Sequence, residues 1–289
     1  MGRIKIKKIK LNSNKISNKI VLISDTHYSS KKDLIKLNNI LDQIKKLNPN
    51  YICVLGDICD QAKIFDEEVL IDWFSKLALI SKVIVVYGNH DLSNYKKKTS
   101  CLNEQFFNRI KSINNVELLD NQSKCIDNIC FVGLKFDYNY YYKYGENYKK
   151  FIKLYNEVVQ ELNNNNYNIL LTHSPIALTQ DGVINKLNDY KNIDLVLSGH
   201  MHGGLMPDFL RPIFKTRGLV GPNKHRLFVK YAYGNFKIEN INFMVSSGVT
   251  KLSNVSKLNF FDKLYSPEIV EIEINNNDNF DNENKNVLK

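Results

Sequence analysis

The chain has 289 residues, 43% of them hydrophobic, and a formal net charge of +10. Length and apolar content suit one large domain or two small ones with a sizeable core, and no stretch approaches the ~18 consecutive apolar residues of a membrane span. The lysines are spread along the chain without a nucleic-acid-binding motif, so the charge reads first as solvated surface and nucleic acid is not an expected partner.

In chain order, Arg3 to Lys10 alternates Lys with Ile, the pattern of an edge strand with one wet face. The apolar run IVLIS follows, then Lys31 to Leu47, where Leu34, Leu37, Ile40, Leu41 and Ile44 recur at helical spacing and Asn48-Pro49 closes the pattern. The strand YICVL precedes a helix from Asp66 to Leu79 with Trp73 and Phe74 on its apolar face. After VIVVY comes a helix near Leu102 to Ile113. Cys125-Ile126 and Ile129 to Leu134 form a hairpin around the turn pair Asp127-Asn128. A helix from about Tyr148 to Leu162 leads to strand NILL, a helix around Ile176 to Leu187 and strand DLVL.

Met206 to His225 is a long aperiodic loop rich in Pro, Gly and basic residues. Tyr231 to Ile238, Phe243 to Ser247 and Glu268 to Ile274 alternate as antiparallel strands do. From residue 276 on, the Asn- and Asp-rich sequence predicts a disordered tail. Strands alternating with helices, then paired strands, predict an α/β fold of two sheets packed face to face with helices outside, as one domain over residues 1–275.

Five cysteines form no CxxC and no zinc pattern. Cys53 and Cys130 lie in apolar runs and read as small buried hydrophobes. The expected setting is reducing, hence the cytoplasm, with peripheral membrane association as a variant.

The chemistry lies in five short segments: Asp25-Thr26-His27, Gly56-Asp57, Gly88-Asn89-His90-Asp91, Thr172-His173 and Gly199-His200-Met201-His202. Each follows an apolar strand run, and strand ends on one sheet edge converge. They hold five of the six histidines. Oxygen and nitrogen donors without thiolates suit two divalent ions among Mn, Fe, Zn, Co and Ni. In an extended backbone the pairs Asp25/His27 and His200/His202 would each share a side. Asp57, with two carboxylate oxygens, is the natural bridge. Two metals ~4 Å apart would clamp a phosphoryl group and hold the attacking hydroxide. His90 would donate to a phosphoryl oxygen or the leaving group, and Asp91 would orient it. Taken singly, each segment has a bland reading as a turn or cap; their number and order favour the metal site.

DTH, GD, GNHD, TH and GHMH in this order resemble the calcineurin-like metallophosphoesterase superfamily. That resemblance implies two mixed sheets sandwiched between helices. It implies a first metal on Asp25, His27, Asp57 and His202, a second on Asp57, Asn89, His173 and His200, and His90 as catalytic histidine with Asp91 as its partner. The continuation GHMHGG and the later YAYGNFKIENINFMVSSG are similar to a bacterial phosphodiesterase-like subgroup, although Leu205 stands where glutamine is frequent there.

The expected activity is phosphodiester hydrolysis, with phosphomonoesterase or protein phosphatase action as the alternative and a metal-free scaffold as the non-enzyme rival. The partner is a phosphate ester, carried by an anionic lipid headgroup or a nucleotide. Arg211, Lys215, Arg217 and Lys224 could together hold a second anion, or be ordinary solvated surface.

Overall fold

The structure, a computed structural model, describes residues 4–30, 33–59, 66–96, 104–136, 148–160, 162–179, 183–187, 190–221, 227–250 and 264–276. Among these residues twelve strands form two six-stranded mixed sheets. The first contains β1 (Lys5–Ser13), β2 (Asn18–Ile23), β3 (Tyr51–Val54), β4 (Lys82–Val85), β5 (Val116–Leu118) and β12 (Glu268–Asn276), in the order β1-β12-β2-β3-β4-β5. The second contains β6 (Gln122–Ile126), β7 (Ile129–Leu134), β8 (Tyr167–Thr172), β9 (Leu195–Ser198), β10 (Gly234–Ile238) and β11 (Ile241–Val245), in the order β10-β11-β9-β8-β7-β6. In each sheet four neighbouring strands run parallel: β2 to β5 in one, and β11, β9, β8 and β7 in the other.

The unbroken apolar runs are explained by this placement. Strands with both faces covered cannot alternate apolar with polar, and β3, β7, β8 and β9 are buried throughout. Between the sheets, Ile20, Leu22, Leu55, Val86, Phe131, Leu171, Leu197 and Ile272 interdigitate. Each such side chain contributes about 1.5–3 kcal/mol. On the outer face of the first sheet lie α1 (Leu34–Leu47), α2 (Glu67–Ile80) and α4 (Glu104–Lys111). On the second lies α5 (Lys149–Val158). The short α3 (Asn89–Lys96) begins at the end of β4.

Local signals set the helix ends. Asp66 accepts a hydrogen bond from the Glu68 amide and so caps α2, with Glu67 and Glu68 in the first turn. α1 ends at Asn48 in a left-handed conformation before Pro49. Its apolar stripe of Leu37, Ile40, Leu41 and Ile44 is buried.

The structure departs from the sequence-based expectation in three places. No helix spans 176–187 among the described residues; turns and a 3₁₀ turn at Ile184–Lys186 carry Ile176, Ala177, Leu178, Ile184 and Leu187 into the core. Thr179, Asp181 and Gly182 interrupt the helical pattern there. β12 does not extend the antiparallel β10–β11 ribbon but enters the other sheet, parallel to β1 and antiparallel to β2. Alternation alone does not reveal the partner of a strand. Finally, Cys130 is buried as expected but joined by a disulfide to Cys125, its register partner across the β6–β7 hairpin. The even spacing of the two cysteines about Asp127-Asn128 was the available signal, and their pattern gives no argument about compartment. Cys53 and Cys59 are buried and outside any disulfide.

No helix among the described residues is long and apolar enough to cross a membrane. The expected tail lies, from residue 277 on, outside the described residues, as do Lys224 and His225.

Candidate metal centre

All five segments meet at one edge, where β2, β3, β4, β8 and β9 end. Asp25 and His27 follow β2, Asp57 follows β3, Asn89 opens α3, His173 follows β8, and His200 and His202 follow β9. All seven are buried, in a molecule whose other polar side chains are mostly at the surface.

Two carboxylate oxygens organise the cluster. Asp25 Oδ1 lies 3.8 Å from His27 Nε2, 3.8 Å from His173 Nε2 and 3.6 Å from His202 Nε2. Asp57 Oδ2 lies 3.6 Å from His27 Nε2, 3.2 Å from His173 Nε2 and 4.0 Å from His90 Nε2. Asp25–His27–His202, Asp57–His173–His200 and His27–Asp57–His90 each offer donor atoms within 4.8 Å of one another. Asp57 and His27 each belong to two of these groups. His90 stands at the rim, its side chain 23% exposed against 4% for His27 and 0% for His173. It meets His27 edge-on at 4.6 Å between ring centroids.

The backbone there is unusual. Asp25 (φ 56°), His27 (41°), Asp57 (49°), His200 (67°) and His202 (44°) all lie in the left-handed region, which few non-glycine residues enter. This corrects the expectation of extended pairs. β2 and β9 end at Ile23 and Ser198, before the ligands, and left-handed turns bring Asp25 to His27 and His200 to His202. Such conformations cost of order 1–3 kcal/mol each and persist where surrounding structure imposes them.

That surrounding structure is visible. The Ser24 hydroxyl and the His200 amide donate to Asp25 Oδ2. The His90 amide donates to Asp57 Oδ1 at 2.7 Å. Asp91 accepts from the backbone amides of Ile58 (3.0 Å) and Gly88 (2.8 Å), tying the GNHD turn to the loop after Asp57. His173 Nδ1 lies 2.5 Å from the Leu55 carbonyl, which turns Nε2 toward the carboxylates. Two glycines allow the approach. A Cβ on Gly199 would meet Ser24 Oγ at 1.7 Å, and one on Gly88 would meet Asp57 Oδ1 at 2.2 Å.

Two further residues hold the first loop and were missed in the sequence. Lys36, buried on α1, donates to the Thr26 carbonyl at 2.5 Å. The Thr250 hydroxyl lies 2.5 Å and 2.9 Å from the Asp25 and Thr26 carbonyls. Lys36 lies four and eight positions before Ile40 and Ile44, on the apolar face of the helix, which was the available signal. Thr250 follows the Ser246-Ser247-Gly248 stretch at the end of β11, a strand end like the other five, which was the available signal.

Electrostatics follow from burying two carboxylates among imidazoles. Burial alone would raise Asp25, but His202, His27 and His173 hold it well below the usual carboxylate range. Asp57 is likewise depressed against its burial, by His173 and His90. Burial would lower His173, yet Asp57 and Asp25 push it up to about 9. His200 is lowered to about 3 by burial and by His173. His202 is lowered to about 4, chiefly by burial. Asp91 is raised to about 7 by burial and by the Asp57 charge.

Asp25 Oδ1 and His27 Nε2 are buried with no hydrogen-bond partner among the described residues. A buried polar atom left in that state costs about 1–3 kcal/mol, a cost that a cation between them removes. Oxygen and imidazole donors without thiolates fit Mn, Fe, Co, Ni or Zn.

Arg211 separates from the other basic residues of its loop. Its side chain is 10% exposed and stacks 3.6 Å over the Tyr233 ring, with Nε donating to Asp208 Oδ1. Lys215 and Arg217 are exposed. Arg211 is thus held inside its loop while Lys215 and Arg217 face solvent.

Residues 18–204 match the family model described as calcineurin-like phosphoesterase. A Campylobacter jejuni protein named as an uncharacterized metallophosphoesterase is 25% identical over 209 residues, covering 70% of this chain and 48% of its own length. A Caenorhabditis elegans protein carrying the metallophosphoesterase name is 26% identical over 221 residues, covering 75% and 42%. Neither name specifies a substrate, and the chain spans about half the length of these relatives. Among solved structures, a dimetal phosphatase from Danio rerio overlaps with a TM-score of 0.40 at 12% identity, over 80% of this chain and 87% of that one. GAP50 of Plasmodium, described as the anchor in the inner membrane complex, overlaps with a TM-score of 0.40 at 10% identity, over 81% and 72%.

Proposed function

Because the chain belongs to the calcineurin-like phosphoesterase family, we propose that it hydrolyses phosphoric esters, diesters in preference to monoesters, with two divalent ions. Asp25, His27, Asp57 and His202 hold one ion, and Asp57, Asn89, His173 and His200 hold the other. The observation that carries this reading is the position of Asp57, whose Oδ2 lies within 4.0 Å of His27, His90 and His173 at once. When bound, the ions supply positive charge for the phosphoryl oxygens and lower the pKa of water. His90, at the rim, is placed to donate a proton to a phosphoryl oxygen or the leaving group. Asp91 keeps the turn that carries His90 against the Asp57 loop. Low exposure of the remaining donors keeps bulk water off the reacting centre.

The substrate is an ester on an anionic lipid headgroup or a nucleotide. The test is turnover of bis(p-nitrophenyl) phosphate against p-nitrophenyl phosphate by protein loaded with Mn²⁺, Fe²⁺ or Ni²⁺. We expect the diester to be favoured and activity to vanish on chelation and return with metal. Folded, metal-loaded protein inert on both esters would sink the reading, and a monoester preference would replace the diester assignment.

A further inference from the structure

Seven large hydrophobic side chains are exposed among the described residues, and four of them fall within twenty positions: Phe209 (65%), Ile213 (72%), Leu227 (69%) and Phe228 (55%). Scattered exposure is ordinary, but clustering of this kind marks an interaction surface. The four sit on the excursion that follows the His202 loop. Backbone hydrogen bonds knit it into one unit: Lys215 to Arg211, Arg217 to Phe214, Gly218 to Val229, Phe228 to Leu219 and Ala232 to Thr216. It is rooted at the metal-centre loop. The Val220 amide donates to the Gly204 carbonyl, and Arg211 presses so close to Gly203 that a Cβ there would meet its Nη2 at 2.3 Å.

The same surface is basic. Among its described residues Arg211, Lys215, Arg217 and Lys230 stand against one acid, Asp208. Lys215, Arg217 and Lys230 are exposed, and none forms an ion pair among the described residues. Ile213, Lys215 and Arg217, then Leu227, Phe228 and Lys230, interleave bulky apolar tips with free cations. Protein interfaces are depleted of lysine and place an apolar centre inside a polar rim. A bilayer interface takes both at one depth, apolar tips at the acyl boundary and cations on the headgroup phosphates.

We propose that this excursion docks the protein onto a membrane surface bearing anionic lipids, with the metal centre beside the headgroups. The docking stands independently of the proposed hydrolysis; that headgroup esters are then the substrate rests on it. The test is co-sedimentation of the full chain with vesicles of phosphatidylcholine alone or with about 30% phosphatidylglycerol. We expect binding to the anionic vesicles at least about tenfold tighter, weakening with salt. Lys215→Glu/Arg217→Glu/Lys230→Glu should lower it by about a hundredfold. Phe209→Ser/Ile213→Ser/Leu227→Ser/Phe228→Ser should lower it with all charges kept. Both variants should retain wild-type near-UV circular dichroism and wild-type turnover of bis(p-nitrophenyl) phosphate. Equal binding to both vesicles, no binding, or undiminished binding by both variants overturns the proposal. So does a dimer in light scattering that the serine variant dissociates, which assigns the surface to a second copy. Vesicle binding by wild type that is inert on every ester supports docking and removes the hydrolase reading instead.

Discussion

The loop carrying His200 and His202 and the excursion from Leu205 to Tyr233 leave the same strand end, yet they are built oppositely. In the first, polar side chains are buried, backbones are left-handed, and Asp25 Oδ2 and Asp57 Oδ1 accept from the His200 and His90 amides. In the second, apolar and basic tips face outward, held by backbone hydrogen bonds and one stacked arginine. The first region is over-determined and should tolerate almost no change. The second presents side chains whose loss leaves the fold intact.

The largest effect that this contrast predicts comes from Asp57→Asn. An amide offers one ligand oxygen and no charge, so both metals should be depleted and turnover should fall by about 10³ or more. Elemental analysis showing two metals per chain would refute the shared role. Gly199→Ala should come next. Its methyl must displace Ser24 and Asp25, with an expected loss of about 1–3 kcal/mol in denaturant unfolding and weaker metal retention. Unfolding within error of wild type would show that the approach is not tight.

Lys36→Met tests whether the first loop is held from outside. The substitution keeps most of the volume but leaves the Thr26 carbonyl dependent on Thr250. We expect about a tenfold fall in kcat with KM nearly unchanged, and partial recovery in Lys36→Arg. A fall in stability with kcat intact would make Lys36 structural only.

Acid and base should act mainly through the metal centre, because the shifted histidines and the Asp25, Asp57 and Asp91 carboxylates lie there. His200 and His202, lowered to about 3 and about 4, cost the folded metal-free state stability as pH falls below their unfolded value of about 6.5. His173, raised to about 9, contributes stability below about 6.5 that is lost as pH rises through 9. Asp91, raised to about 7, adds a loss between about 4 and 7. Asp25 and Asp57, depressed, lose their contribution only below about 4. Metal-free protein should therefore melt highest between about pH 6 and 7. Metal competes with the protons, so loaded protein should shift its maximum upward. Melting curves with the same pH dependence with and without metal would contradict the assignment. The smallest effect is expected for Ile213→Ser, within about 0.5 kcal/mol of wild type in unfolding; a larger loss would mean that Ile213 is packed rather than presented.

Much of this was legible beforehand. Apolar runs such as YICVL and DLVLS gave the buried strands because burial on both faces leaves a contiguous signature. The five segments were readable because chemistry needs particular side chains at strand ends. Backbone conformation was not readable: nothing in Asp25-Thr26-His27 announces the left-handed conformations of Asp25 and His27, in a loop that Lys36 and Thr250 hold from distant positions. The partner of β12 was equally hidden, since alternation specifies a face and not a neighbour. The exposed tips of the excursion were hidden too, because apolar residues in a sequence look alike whether they end inside or outside.

The position of β12 carries a consequence for how the molecule is made. Among the described residues β1 pairs with no strand except β12, Lys5 against Glu268 through Ser13 against Asn276. During synthesis β1 emerges before β12 and must wait for a strand roughly 260 positions later, a delay of about 13–50 s at common elongation rates. β2 keeps an open edge for the same time. The lysines at 5, 7, 8 and 10 then have a use before the native state exists. They give a waiting strand a charged margin that discourages pairing with other nascent chains. Lys10→Thr, which gives up only an exposed 3.9 Å ion pair with Glu273, should spare the finished protein and lower the yield of soluble chains.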